Sequence, residues 1–342
     1  MFIQNLQLLN FRNFKNKIFE FSPEITALVG ENAVGKTNTL EAIYILSAGK
    51  SFKAKPEEEV INFESETARI NGVFGNIDEK INLSAFFSKP LAPYPKKRLM
   101  FDSVPKRSID FVGIAKAALF TPSDLDLLTD APSVRRKFLD HILSISDREY
   151  RSSLLSYEKA IRQRNKLLIR IREEGIPRSH LMFWDKLLIK NGNFITDKRK
   201  ELIDFINKTD QISNLIISVD YDKSEISEAR LDQYKREEVA AGMTLVGPHR
   251  DDFVVLGNNK NVSHFGSRGE ARLAILWLKI AELEFVGSGG IRPILLLDDI
   301  FSELDHKHRH VVFAVAQKQQ TIITSADPHT LQEFAQIKKI EL

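Results

Sequence analysis

Gly30-Glu31-Asn32-Ala33-Val34-Gly35-Lys36-Thr37 fits the pattern G-x-x-x-x-G-K-[ST] and stands directly behind the apolar run Ile25–Val29. The run reads as a buried strand, and residues 37–46 (TNTLEAIYIL) repeat apolar side chains at helical spacing, so the order is strand, loop, helix. The glycines let consecutive backbone N–H groups turn inward toward phosphate oxygens, and the helix N-terminus adds its positive end. In this pattern Lys36 reaches the β and γ phosphates and the Thr37 hydroxyl ligates Mg²⁺. Gly30, Asn32, Gly35, Lys36, Thr37 and Asn38 are therefore the expected nucleotide-binding residues, with ATP and Mg²⁺ as the expected cofactors. The competing explanation, an ordinary glycine-rich turn, does not account for the lysine and threonine.

A phosphate loop of this kind needs a carboxylate for its metal. Pro293-Ile294-Leu295-Leu296-Leu297-Asp298-Asp299 supplies a strand buried on both faces that ends in two carboxylates, the place where open α/β sheets bind ligands. Asp298 is the expected metal ligand, and Asp299, with Lys36, the expected catalytic residue, orienting or deprotonating the attacking water. The two motifs lie about 260 residues apart. That distance implies a lobe inserted into the nucleotide domain.

Between them, Gly266-Ser267-Arg268-Gly269-Glu270 leads into the apolar stretch LAILWLKIAELEF. Ser267 and Glu270 have the S-x-x-E spacing of a capping box. A capped helix with glycine in its first turn is also a bare, positively polarised surface for a γ-phosphate, and the two readings are compatible. In ABC-type ATPases an S-x-G-Q motif does this from the opposite protomer. Here Glu270 stands where those proteins usually carry glutamine.

The chain has 342 residues, no cysteine and a net charge of only +3. Disulfides, thiolate catalysis and cysteine metal sites are excluded, and a basic surface has to be shown by clustering. No uninterrupted apolar run exceeds six residues, and the N-terminus lacks the regions of an export signal, so the expectation is a cytoplasmic protein without a membrane span.

These residues, with Leu9-Asn10-Phe11-Arg12-Asn13-Phe14, Lys50-Ser51-Phe52, Phe120-Thr121-Pro122-Ser123-Asp124-Leu125, Arg135-Arg136-Lys137-Phe138-Leu139-Asp140, Gln163-Arg164-Asn165 and Thr244-Leu245-Val246-Gly247-Pro248-His249-Arg250-Asp251-Asp252, resemble in order and spacing the RecF family of bacterial repair ATPases, related to SMC and ABC ATPases. The resemblance runs nearly end to end. It implies an ATP-dependent DNA clamp that dimerises on nucleotide at gapped or damaged DNA and works with RecR and RecO to load a recombinase. It further implies that Arg12 lies near the nucleotide, that Ser267 and Gly269 contact ATP across the dimer, and that Asp305 sits at the interface. Asp299 in place of glutamate, and the lack of a glutamine in the 121–124 segment, depart from ABC practice. The shorter carboxylate predicts slow hydrolysis, and the resemblance implies a weak, DNA-stimulated ATPase.

The expected fold is an α/β ABC/SMC-type P-loop ATPase head, residues 1–118 plus 243–342, with an inserted mainly helical lobe, residues 119–242. A capping box at Ser146-Asp147-Arg148-Glu149 opens a helix running to Glu174 before Gly175, and a second helical stretch over 179–208 follows, so the pair packs antiparallel. Arg162, Arg164, Lys166, Arg170 and Arg172 gather on the first helix, and Lys96, Lys97, Arg98, Lys106 and Arg107 form a second cluster. Each is either a solvated face or a phosphate-contacting ridge without base preference; Arg162, Arg164, Lys166, Lys97 and Arg98 are the DNA-binding candidates. His306, His308 and His310 open a helix on which alternate residues diverge, which disfavours a metal site. His249 reads as structural or interfacial. Two rival functions share the motifs: an ABC transporter motor, disfavoured by the absence of a glutamine loop and a switch histidine, and a scaffold that binds ATP without hydrolysing it.

Overall fold

The computed structural model describes residues 1–75, 79–90, 95–304, 306–326 and 337–342. The chain divides into two compact units, Met1–Leu125 with Leu278–Leu342, and Asp126–Trp277. The inserted unit therefore reaches to residue 277, where the sequence reading ended it at 242. The reason is strand pairing: β9 (Ile217–Asp222) and β10 (Asp252–Gly257) are antiparallel neighbours, which keeps residues 243–277 with the helices.

The first unit holds two sheets. Strands β1 (Phe2–Phe11), β2 (Phe14–Glu20), β4 (Thr67–Gly75), β5 (Lys80–Ser88), β6 (Lys97–Phe101) and β7 (Val104–Lys106) form an antiparallel sheet in the order β2-β1-β4-β5-β6-β7. Strands β3 (Ile25–Val29), β8 (Ala117–Phe120), β12 (Ile294–Asp298), β13 (Thr321–Ser325) and β14 (Lys338–Glu341) form a parallel sheet in the order β14-β3-β13-β12-β8. The apolar runs of β3, β8 and β13 are buried throughout, as strands of a covered parallel sheet must be. In β1 a register shift between Ile3 and Asn5 breaks the two-residue alternation between Ile3 and Leu6, and the left-handed Asn10 breaks it again between Leu8 and Phe11, so that all four are buried.

Helix α1 (Lys36–Ala48) packs on β4 and β5 on one side and on β8, β12 and β13 on the other. Contact on both sides explains why this helix is buried nearly all round, down to Glu41. Its Leu40, Ile43 and Leu46 join Phe74, Phe87, Leu296 and Ile322 in the main core. The Gln320 amide ties β1 to this layer, accepting from Ile3 N–H at 2.7 Å and donating to the Ile3 and Ser22 carbonyls.

The second unit is built on α2 (Pro132–Ser146), α3 (Arg148–Glu174) and α4 (Met182–Ile206), with a three-stranded sheet of β9, β10 and β11 (Lys260–Asn261). The cap of α3 lies one residue later than expected. Asp147 accepts from Glu149 N–H and Tyr150 N–H, while Ser146 ends α2 and bonds back to Ile142 O. Asp147 wins because its carboxylate has extended backbone behind it, the usual geometry of a capping position. Gly175 closes the helix in the left-handed conformation, as the sequence indicates.

His249 is structural. Its Nδ1 meets the Tyr157 hydroxyl at 2.8 Å and its Nε2 the Thr244 carbonyl at 3.0 Å, and burial pulls its pKa down to about 4. A histidine held neutral in the fold must be protonated more readily once unfolded, so stability falls as pH drops from the unfolded value near 6.5 toward 4. The stability advantage of wild type over His249→Gln should shrink by about 1 kcal/mol per pH unit across that window in denaturant unfolding.

Candidate nucleotide site

The phosphate loop runs off β3 and curls into α1, and β12 delivers its terminal carboxylates two strands away, because β13 pairs with both β3 and β12. Residues far apart in sequence thereby meet on one edge. Thr37 Oγ1 donates to Asp298 Oδ1 at 2.8 Å, and Thr324 Oγ1 donates to the same oxygen at 2.9 Å. The Thr324 hydroxyl also accepts from Asp299 N–H at 3.0 Å, fixing the turn after the strand. A cavity of about 250 Å³ is lined by Asn32, Ala33, Gly35, Lys36, Thr37, Asn38, Lys53, Asp298, Asp299 and Thr324.

Lys36 is only 8% exposed, and its ammonium donates to the carbonyls of Gly30 and Glu31, both at 2.7 Å. Among the described residues no carboxylate pairs with it. A buried cation balanced only by carbonyl dipoles suits an anionic ligand. The donor set around Asp298 is all oxygen: one carboxylate and two hydroxyls. That fits Mg²⁺, which takes one or two carboxylates and completes its shell with water and phosphate.

Gly35 has φ 113°, and a Cβ there would lie 2.5 Å from the Phe14 ring and within 3 Å of the Asn13 amide. The β1–β2 turn therefore presses on the loop. Asn13 Nδ2 donates to Val34 O at 2.8 Å and its Oδ1 accepts from Asn38 Nδ2 at 2.9 Å. Arg12, in the same turn, does not line the 250 Å³ cavity. It lines another cleft of about 960 Å³ with Pro56, Glu58, Glu59, Ile61 and Phe63, and its guanidinium is held by Glu41. Asp299 caps the short helix Ile300–Glu303 with left-handed φ 54°, a conformation that costs a non-glycine residue about 1 kcal/mol.

Asn13, Thr324, Lys53 and Glu41 escaped the sequence reading. Asn13 sits inside the stretch that carries the family resemblance, but Thr324 and Glu41 lie in apolar segments with no motif of their own.

In the second unit, Ser267 and Glu270 form the expected capping box at the start of α5 (Arg268–Gly287). Ser267 N–H donates to Glu270 Oε2 at 2.7 Å and Glu270 N–H to Ser267 Oγ at 3.3 Å. A Cβ on Gly269 would meet only Ser267 Oγ, at 4.0 Å. Where ABC proteins carry a glutamine loop, Asp124 accepts from Thr121 N–H and faces the buried Lys279 at 3.8 Å. Asp305 lies outside the described residues. His306 opens α6 (His306–Ala316), in keeping with a helix rather than a strand.

The basic ridge on α3 breaks up. Arg164 is wholly buried, donating to Asp185 Oδ1 and Glu238 Oε2, both at 2.6 Å, and to Thr244 Oγ1. It points into the unit because residue 164 shares a helix face with Tyr157, Ala160 and Leu168. Arg170 pairs with Glu174, and Arg172 with Glu173 and the Ala240 carbonyl. Arg162 and Lys166 stay exposed, on a face that also carries Lys159. On β6, Lys97 is tied to Glu57 at 2.5 Å, whereas Arg98 is exposed.

The RecF/RecN/SMC N-terminal domain family model matches residues 2–342. The DNA replication and repair protein RecF of Lachnoclostridium phytofermentans is 35% identical over 348 residues, covering 98% of this chain and 94% of that protein. The chain belongs to the RecF family. The DNA replication and repair protein RecF of Halalkalibacterium halodurans is 34% identical, covering 100% of this chain and 98% of its own. The solved RecF-ATP structure of the RecFOR pathway superposes with a TM-score of 0.88 at 30% identity, covering 95% of this chain and 92% of that one. The Smc head domain of Pyrococcus furiosus, 17% identical with a TM-score of 0.55, shares the fold alone. The fold is thus the SMC/ABC-type ATPase head that the sequence indicates, and the family is one of DNA replication and repair proteins.

Because Arg164 holds two carboxylates inside the second unit, Arg164→Ala leaves buried charge unbalanced. It should cost about 3–5 kcal/mol in denaturant unfolding. Arg162→Ala and Lys166→Ala should change stability by less than about 0.5 kcal/mol.

Proposed function

We propose that the chain is an ATP-dependent DNA clamp of recombinational repair, in which ATP bound at the phosphate loop of one copy is sealed by the Ser267–Gly269 helix start of a second copy. The observation that carries this reading is Gly269. Its φ is not left-handed and nothing among the described residues crowds its Cβ position, so the described fold does not require glycine there. A bare first turn next to a capped N-terminus is what an incoming phosphate needs. The relatives solved as RecF-ATP and RecF-ATPrS support ATP as the nucleotide.

In this reading the backbone N–H groups of the loop and the α1 N-terminus bind the phosphates, and Lys36 neutralises the β and γ groups. Thr37 and Asp298 would hold Mg²⁺, which supplies charge neutralisation to the transferring phosphoryl group. Arg12 lies at the edge of the cleft whose Pro56, Ile61 and Phe63 offer an apolar face to the adenine. Asp299 orients the attacking water. Its short side chain, on a backbone turned left-handed to cap the next helix, favours slow hydrolysis that resets the clamp rather than rapid turnover. Asp305 belongs to the dimer interface by family resemblance.

Duplex or gapped DNA is the partner, bound through backbone phosphates without sequence preference. Arg162, Lys166 and Arg98 remain candidates for that contact, and Arg164 does not. In this reading RecR and RecO are partners, recombinase loading is the role and the cytoplasm the compartment; the RecFOR pathway named for a relative supports it. Among the described residues no helix is long and apolar enough to cross a membrane.

Size-exclusion chromatography with light scattering tests the proposal. With ATP and gapped DNA, wild type should run as a dimer and Asp299→Asn should accumulate in that form. Gly269→Ala should stay monomeric while unfolding no earlier than wild type, since alanine favours a helix by about 0.5–1 kcal/mol. A Gly269→Ala chain that dimerises normally on ATP would refute the sealing role.

A further inference from the structure

We propose that Glu41 is a positioning residue for the nucleotide site, acting through Arg12 and Ser51; the inference rests on the reading that ATP occupies the phosphate loop. Glu41 stands one turn into α1, between the two sheets, and is 0% exposed. A carboxylate in such a place is not there for stability, because an apolar residue of similar size does as well or better in a core. Its partners point to another use.

The Arg12 guanidinium engages both oxygens of Glu41, Nε to Oε2 at 2.8 Å and Nη2 to Oε1 at 2.6 Å, the bidentate arrangement that fixes orientation as well as distance. The third nitrogen, Nη1, donates to Glu59 O at 2.9 Å. Arg12 is thus clamped on a backbone already held at a left-handed φ of 53°. Next to it, Asn13 lies across the phosphate loop through Val34 and Asn38. A second bond to Glu41 comes from the Ser51 hydroxyl. That hydroxyl in turn accepts from Lys53 N–H at 2.9 Å and Ala54 N–H at 2.7 Å, shaping the turn that brings Lys53 to the cavity that Asp298 and Asp299 also line.

One buried carboxylate therefore locks two segments to the helix that begins at Lys36: the β1–β2 turn and the 51–54 turn. Because the Glu41 charge balances Arg12, the guanidinium serves as an oriented donor at the cleft edge, and Lys36 and Lys53 carry the uncompensated positive charge facing the phosphates. The expected consequence is ground-state: loss of Glu41 disorders the grip on nucleotide more than the chemistry.

The test combines fluorescent-ATP binding, steady-state kinetics and unfolding on the full chain. Glu41→Gln and Arg12→Ala should each raise the Kd for labelled ATP and the KM about tenfold, with kcat within about twofold. The double variant should bind no worse than either single one, since both remove the same constraint. Nucleotide affinity unchanged in Glu41→Gln, or effects that simply add, would overturn the proposal. Should Glu41→Gln fail to fold, Ser51→Ala removes only a half-buried hydroxyl. It should weaken labelled ATP about threefold at unchanged unfolding midpoint, and wild-type affinity there would equally overturn the proposal. Lys36→Ala separates the two levels. Normal binding in that variant defeats the phosphate-loop reading, whereas lost binding there beside normal binding in the Glu41 and Ser51 variants defeats only the positioning role.

Discussion

The pairing of β13 with both β3 and β12 is the constraint on which the site depends. Parallel neighbours end on the same edge, so a glycine loop leaving β3 and a pair of aspartates leaving β12 are carried to one place although 261 residues separate Thr37 from Asp298. Thr324, at the end of the strand between them, converts proximity into geometry. Its hydroxyl donates to Asp298 and accepts from the Asp299 amide, so one oxygen of Asp298 is aimed at Thr37 while the next residue is turned away from the sheet. A hydroxyl shared in this way orients both acidic residues without bringing in a further charge.

The second constraint is crowding. The β1–β2 turn sits so close to the loop that only glycine fits at position 35, and the same turn carries Arg12 and Asn13. The antiparallel sheet is therefore more than a cover for the core; its first hairpin braces the phosphate loop through Asn13. The burial of α1 between two sheets explains why Glu41 is so heavily bonded, since a buried carboxylate needs hydrogen-bond partners and finds them in Arg12 and Ser51.

The sequence made the strands β3 and β12, the phosphate loop, the acidic pair, the Ser267 cap and the end of α3 legible, because each is written in local chemistry: apolar runs, glycine spacing, or a cap one turn from its partner. What it hid was long-range. Thr324 and Glu41 look like ordinary members of apolar segments until the fold brings their partners. Arg164 sits in a row of cations, and only its place on the Tyr157–Leu168 face, opposite Asp185 and Glu238, shows that it belongs to the interior. The boundary at 277 was hidden for the same reason, since β9 and β10 are joined by hydrogen bonds across a stretch of helix and loop.

The account stands on a nucleotide whose cation is held by Thr37 and Asp298. Calorimetric titration with ATP, with and without Mg²⁺, on wild type and Asp298→Asn examines that link directly. Mg²⁺ should tighten ATP binding by about tenfold or more in wild type, and by less than about threefold in Asp298→Asn, whose amide is a poorer ligand for a hard cation. An equal gain from Mg²⁺ in the two proteins would contradict it.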